Sequence, residues 1–205
     1  MKLCLRFSVL ACTIVMAISA FANGPDSADA PFQIRYASNL NIGDSYVNIS
    51  NTGASITKST PSGDLCVNVY AFSPDEQMIE CCSCPVTPDG LVSLSVKKDL
   101  TDNPLTGVIV NSVVIKLLAS AKPSTGSCDA SNFTTPAPGL TAWGTTLHLN
   151  TTDTSYTLTE TPFTPATLSA GEHSNLASSC GAIHTLGSGA GICRSCKLGG
   201  LASTK

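Results

Sequence analysis

The sequence predicts a mainly β fold: an immunoglobulin-like antiparallel β-sandwich with a short C-terminal helix and a Cys-rich cap. Short runs of β-forming residues recur along the chain, and clusters of Gly, Pro, Asn and Asp separate them. Only 12% of the 205 residues are charged, while 42% are apolar, with 26 Ser and 23 Thr. Near the C-terminus the apolar spacing changes to a helical period.

Residues 1–22 read as a secretory signal peptide. Lys2 and Arg6 supply the positive start, Phe7 to Ile18 the apolar stretch, and Ala20-Phe21-Ala22 the small-residue cleavage site. The apolar stretch is shorter than the ~20 residues of a membrane span. Val9-Leu10-Ala11-Cys12 resembles a lipobox, but cleavage there leaves almost no apolar stretch before Cys12. Secretion, extracellular or periplasmic, with cleavage near Ala22 is the expectation. Losing Lys2 and Arg6 takes the net charge from −3 to −5. A chain without basic excess argues against nucleic-acid binding. No membrane span is expected either, since Val108 to Ala119 is short and carries Asn111 and Lys116.

Residues 23–31 read as a flexible leader and 32–165 as the sandwich. Strands are predicted at Phe32–Tyr36, Tyr46–Ser50, Leu65–Phe72, Met78–Cys84, Leu91–Val96, Ser112–Ala119, Thr145–Asn150 and Ser155–Glu160. In Leu65–Phe72, Leu65, Val67, Val69 and Ala71 alternate with Cys66, Asn68, Tyr70 and Phe72. Lys122 to Leu140 is rich in Pro, Ser, Thr and Gly and reads as a long loop, either functional or stapled down. Gly43-Asp44-Ser45-Tyr46-Val47-Asn48-Ile49 is echoed by Gly63-Asp64-Leu65-Cys66-Val67-Asn68-Val69, which suits two strands entered by similar turns. Residues 166–205 read as a helix and a disulfide-pinned tail. Ser169 and Glu172 have capping-box spacing, Leu176, Cys180 and Ile183 form one face, and Gly187 ends a helix from Ala170 to Leu186.

Cys4 and Cys12 lie in the signal peptide, leaving Cys66, Cys81, Cys82, Cys84, Cys128, Cys180, Cys193 and Cys196. An even count in an oxidising compartment predicts disulfides. A hairpin about Ser73-Pro74-Asp75-Glu76 brings Cys66 opposite Cys82, Ser83 or Cys84, so Cys66 is expected to bond Cys82 or Cys84. Cys82 and Cys84 share one face and Cys81 points to the other. Cys81 therefore staples a different element, with Cys128 a candidate partner. Cys180, Cys193 and Cys196 are expected to contain one local bridge.

Chemistry has few other candidates. Cys180, His184, Cys193 and Cys196 have zinc-ligand spacing, but exported thiols oxidise, so they stand as outside candidates and no metal or cofactor is expected. Cys193-Arg194-Ser195-Cys196 lacks both a βαβ context and the His of haem attachment, Lys197 standing in its place. Of His148, His173 and His184, none falls in a recognisable hydrolase motif, and G-x-S-x-G is absent. Asp75, Glu76 and Glu80 read as a solvated turn. Trp143 with Tyr36, Tyr46, Tyr70 and Tyr156 forms a candidate sugar platform, set against ordinary packing. Asn48, Asn132 and Asn150 head glycosylation sequons.

Val67 to Gln77 leading into Cys81-Cys82-Ser83-Cys84-Pro85, together with the Cys193-x-x-Cys196 tail ending in Leu198-Gly199-Gly200-Leu201, resembles an uncharacterised family of secreted bacterial proteins. The resemblance implies bacterial export and transfers no functional residue. The expected function is a secreted non-enzymatic structural or adhesive protein, a surface-assembly subunit whose partner is another copy or another surface protein. The alternatives are an extracellular carbohydrate-binding module and a metal or redox protein using the C-terminal Cys/His cluster.

Overall fold

The computed structural model describes residues 29–58, 60–193 and 196. The expected signal peptide and most of the leader lie outside them. Nine strands form two antiparallel sheets. In chain order they are β1 (Phe32–Ala37), β2 (Gly43–Asn51), β3 (Leu65–Phe72), β4 (Met78–Val86), β5 (Leu91–Ser95), β6 (Val113–Ala121), β7 (Leu140–Leu149), β8 (Tyr156–Pro162) and β9 (Thr164–Pro165). A π-helical turn, Val96–Leu100, follows β5, and helix α1 spans Ala170–Thr185. The first sheet has the order β4-β3-β6-β1-β9 and the second β5-β2-β7-β8.

The main core lies between the sheets. Leu65, Val67, Val69 and Ala71 of β3 and Val113, Ile115, Leu117 and Ala119 of β6 bury against Val47 and Ile49 of β2, Val92 and Leu94 of β5, and Leu140 and Ala142 of β7. A second core covers the other face of the first sheet. There Phe32, Tyr70, Cys81 and Leu118 meet Leu176, Cys180 and Ile183 of α1 and Ala130 of the long loop. The layers therefore run second sheet, first sheet, then helix with loop.

Strand β3 is buried on both faces, so its polar residues need internal partners. Asn68 donates to the Leu118 carbonyl at 3.0 Å and accepts from Ser83 Oγ at 2.6 Å. The Tyr70 hydroxyl donates to the Ala130 carbonyl at 2.8 Å. Burial, and next the charge of Asp129, push its phenol far above the ordinary tyrosine value.

The 122–139 segment is stapled down. Cys66–Cys128 fixes it, Thr134 Oγ1 donates to the Ala121 carbonyl, and the Ala137 N–H donates to the Ala119 carbonyl. Helix α1 begins as expected, with Ser169 Oγ accepting the Glu172 N–H at 3.1 Å. The Glu172 carboxylate reaches Lys116 of β6 at 2.6 Å. Gly187 at φ +62° closes the helix, its N–H donating to the His184 carbonyl.

The predicted Leu91–Val96 strand ends at Ser95. Its Oγ accepts the Lys98 N–H and so caps the π turn. Strand β7 starts at Leu140, ahead of the expected Thr145, because it pairs with β2 from Leu140 to His148. Glu80 departs from the solvated-turn expectation. It is buried in β4 and accepts the Asn103 N–H.

Candidate functional site

Two places gather chemically able side chains: the cysteine junction around β4 and the outer face of the second sheet.

The junction follows from strand alternation. Register pairs Cys66 with Pro85, Val67 with Cys84, Val69 with Cys82, and Tyr70 with Cys81. Cys81 therefore shares the helix-facing side with Cys66 and Tyr70, while Cys82 and Cys84 face the inner side with Val67 and Val69. This corrects the expected Cys66 bond to Cys82 or Cys84, because those sulfurs lie on the opposite face of the sheet. Cys66 bonds Cys128 instead, and Cys81 bonds Cys180 of α1. Cys82 bonds Cys193, and Cys84 bonds Cys196. The expected local bridge among Cys180, Cys193 and Cys196 is absent, since all three go to β4.

The tail also uses the backbone of β4. The Cys81 N–H donates to the Gly191 carbonyl at 2.8 Å, and the Cys193 N–H donates to the Cys81 carbonyl at 3.3 Å. Ile192 thus makes a parallel bridge with Cys81 and covers this edge of the sheet. Gly191 sits at φ +74°, where an added Cβ meets Ile183 Cγ2 at 2.9 Å and the Ile79 carbonyl oxygen at 3.1 Å.

The expected quartet of Cys180, His184, Cys193 and Cys196 is divided. Cys180 and His184 lie with Cys81, whereas Cys196 lies with Cys82 and Cys84. Strand alternation sends the two groups to opposite faces. His184 Nε2 stands 3.6 Å from Cys180 Sγ and 4.0 Å from Cys81 Sγ, and its Nδ1 stands 3.8 Å from Asp129 Oδ1. Burial raises the Asp129 pKa, but the Ser131 side chain and backbone, the His184 charge and the Asn132 N–H together hold it below the ordinary carboxylate value. A depressed carboxylate contributes stability above its unfolded pKa of about 3.9 and loses it as pH falls through the lower folded value. Asp129→Asn is therefore expected to reduce the steepness of acid unfolding below roughly pH 4. Identical acid-unfolding curves for variant and parent would overturn this.

The second site is the outer face of the second sheet. A hydrogen-bonded ladder crosses all four of its strands. Ser93 Oγ donates to Asn48 Oδ1 at 2.6 Å, Asn48 Nδ2 donates to Thr145 Oγ1 at 2.9 Å, and Thr145 Oγ1 donates to Glu160 Oε1 at 3.0 Å. Trp143, Tyr46 and Tyr156 share this face, as register shows. Leu147, Leu149, Tyr46 and Tyr156 line a depression together with Ile42 and Lys97. Burial, then the charges of Asp44 and Asp99, raise the Tyr46 phenol pKa. The other two tyrosines of the expected platform lie elsewhere. Tyr70 is buried beneath α1, and Tyr36 is exposed on β1 of the first sheet. The Asn48 sequon heads a buried, hydrogen-bonded amide, while Asn132 is exposed.

Sequence reasoning missed Arg35. Its guanidinium crosses between the sheets, donating to Ser45 Oγ, Thr146 Oγ1 and Thr161 Oγ1 at 3.0, 2.8 and 3.1 Å. A Cβ on Gly144 lands 1.9 Å from its Cζ, which explains a glycine in the middle of β7.

The molecule is thus a disulfide-stapled, mainly β domain of two antiparallel sheets and a docked helix. No family model matches the chain, and no curated protein matches it. It is similar to a solved structure described as "Crystal Structure of Thermotoga maritima 1070", with 12% identity and a TM-score of 0.43, covering 68% of this chain and 97% of that one. A likeness at that level carries no argument about function.

Proposed function

We propose that the chain is a secreted, non-enzymatic structural or adhesive protein that self-associates through the edge of its second sheet. The observation behind this reading is β8. It ends the order β5-β2-β7-β8, and all seven of its residues are exposed. A strand of that length, with one side unpaired among the described residues, is a template for another strand. Glu160 is the strand's one charged side chain, and it is engaged by Thr145. Leu158 and Tyr156 are exposed beside it. The other edge strands are less open. Ile192 bridges β4, β9 has two residues, and β5 runs into the π turn. Four disulfides and the signal-like first residues support export. Among the described residues, no helix is long and apolar enough to cross a membrane.

The test is a concentration series by sedimentation. The parent chain should associate, and Leu158→Lys with Thr159→Lys should hold it monomeric by placing charge on the edge. A parent that stays monomeric throughout the series removes the assembly reading.

A carbohydrate ligand is a second reading, favoured by the outer face itself. Pyranose rings stack their C–H faces on aromatic rings, and their hydroxyls pair with amides and carboxylates. Trp143, Tyr46 and Tyr156 offer the stacking contact, and the exposed Glu160 on β8 offers a carboxylate. Glycan-array binding that disappears in Trp143→Ala supports this reading, and silence of folded parent protein counts against it.

A further inference from the structure

The inner-side sulfurs of β4 differ from the other disulfide sulfurs in one respect: two bridges share one place. Cys82, Cys84 and Cys196 have their sulfurs within 4.8 Å of one another, and the fourth sulfur, Cys193, is bonded to Cys82. The pairs arrive as two short arms, Cys82-x-Cys84 on a strand and Cys193-x-x-Cys196 on the tail. Cys82, Cys84 and Cys193 are at most 8% exposed. A tetrahedral zinc site with Zn–S bonds of about 2.3 Å separates its sulfurs by roughly 3.8 Å. Opening the Cys82–Cys193 and Cys84–Cys196 bonds moves each bonded pair of sulfurs apart, toward that spacing. Cys66–Cys128 has no such neighbour among the described residues. The Cys81, Cys180 and His184 group offers three ligand atoms on the other face of the strand.

We propose that Cys82, Cys84, Cys193 and Cys196 form a tetrathiolate site for a soft divalent ion, zinc, when the chain folds with its thiols still reduced. Four thiols release four protons, and four thiolates share one Zn²⁺ with no electron transfer. The ion and the two bridges use the same sulfurs, so they exclude each other. Conversion consumes two equivalents of a protein disulfide and four protons. The four thiolates are oxidised to the Cys82–Cys193 and Cys84–Cys196 bonds, the oxidant leaves as thiols, and Zn²⁺ is released. Tail and β4 are joined in either state. This inference is independent of the assembly reading.

The experiment makes the chain in a reducing cytoplasm and purifies it anaerobically with zinc as the probe. Bound metal is measured after dialysis, and alkylated cysteines are mapped by peptide mass spectrometry with and without a chelator. The expected result is about one zinc per chain. Cys82, Cys84, Cys193 and Cys196 should resist alkylation until the chelator is added, with no reductant needed. Cys84→Ser should weaken zinc binding at least about tenfold, and His184→Ala should leave it unchanged. Zinc below about a tenth per chain overturns the proposal. So does protection falling on Cys81 and Cys180 with zinc lost in His184→Ala. If Cys84→Ser fails to fold, the alkylation map of the parent chain decides alone.

Discussion

Replacing Cys81 and Cys180 together by serine is expected to cost roughly 2–5 kcal/mol of stability. The bridge closes a sequence separation of 99 residues, and it is the covalent tie between α1 and the first sheet. The helix has little else to hold it. Its 16 residues bury Leu176, Cys180 and Ile183, and its other positions are mostly small or polar. Helices of that length are marginal on their own in water, so their stability comes from packing. The denaturant midpoint of the double variant should fall, and limited proteolysis should cut first within residues 166–192. An unchanged midpoint would show that packing and the Lys116–Glu172 pair hold α1 without the bridge.

Tyr70→Ala is expected to be comparably damaging, at roughly 3–5 kcal/mol, because it opens a cavity between sheet and helix. Tyr70 is fully buried and central to the second core. Tyr70→Phe separates the ring from the hydroxyl. It keeps the packing but leaves the Ala130 carbonyl without this donor, so its cost should be about 1–3 kcal/mol. Equilibrium unfolding of the two variants checks the order. If Phe costs as much as Ala, the loop is held by the hydroxyl and the ring packing matters little.

Strand β3 was legible to the residue because Leu65–Phe72 alternates cleanly, even though both of its faces are buried. Strand β7 was legible only in part. Thr141 to Gly144 alternates poorly by type, and Gly144 serves the Arg35 side chain from the other sheet, a contact no local pattern contains. Strand β9 is two residues ending in Pro165, too short to give a period. The helix could be read from its cap, its apolar spacing and Gly187. The opposite faces of adjacent cysteines follow from alternation alone, whereas the partner of Cys66 depends on the hairpin register. The turn at Ser73–Gln77 and the irregularity between Ala71 and Phe72 set a register that places Cys66 across from Pro85. A one-residue change in register reverses every face, and sequence alone does not settle it. On the outer face of the second sheet, the aromatic residues were named, but Ser93, Asn48, Thr145 and Glu160 become one ladder only when four strands separated in sequence are aligned.

The bridges from β4 to Cys180, Cys193 and Cys196 impose an order on events. On a chain emerging N-terminus first, β4 is complete about a hundred residues before its partners appear, since the separations are 99, 111 and 112. During that interval three thiols crowd one strand with Cys66 already nearby in sequence. Any early bond within that group is non-native and has to be undone by thiol–disulfide exchange. Covalent maturation of the sheet edge is therefore a late, long-range step, and a pulse-labelled chain should pass through shuffled β4 bridges before its mass and mobility become uniform.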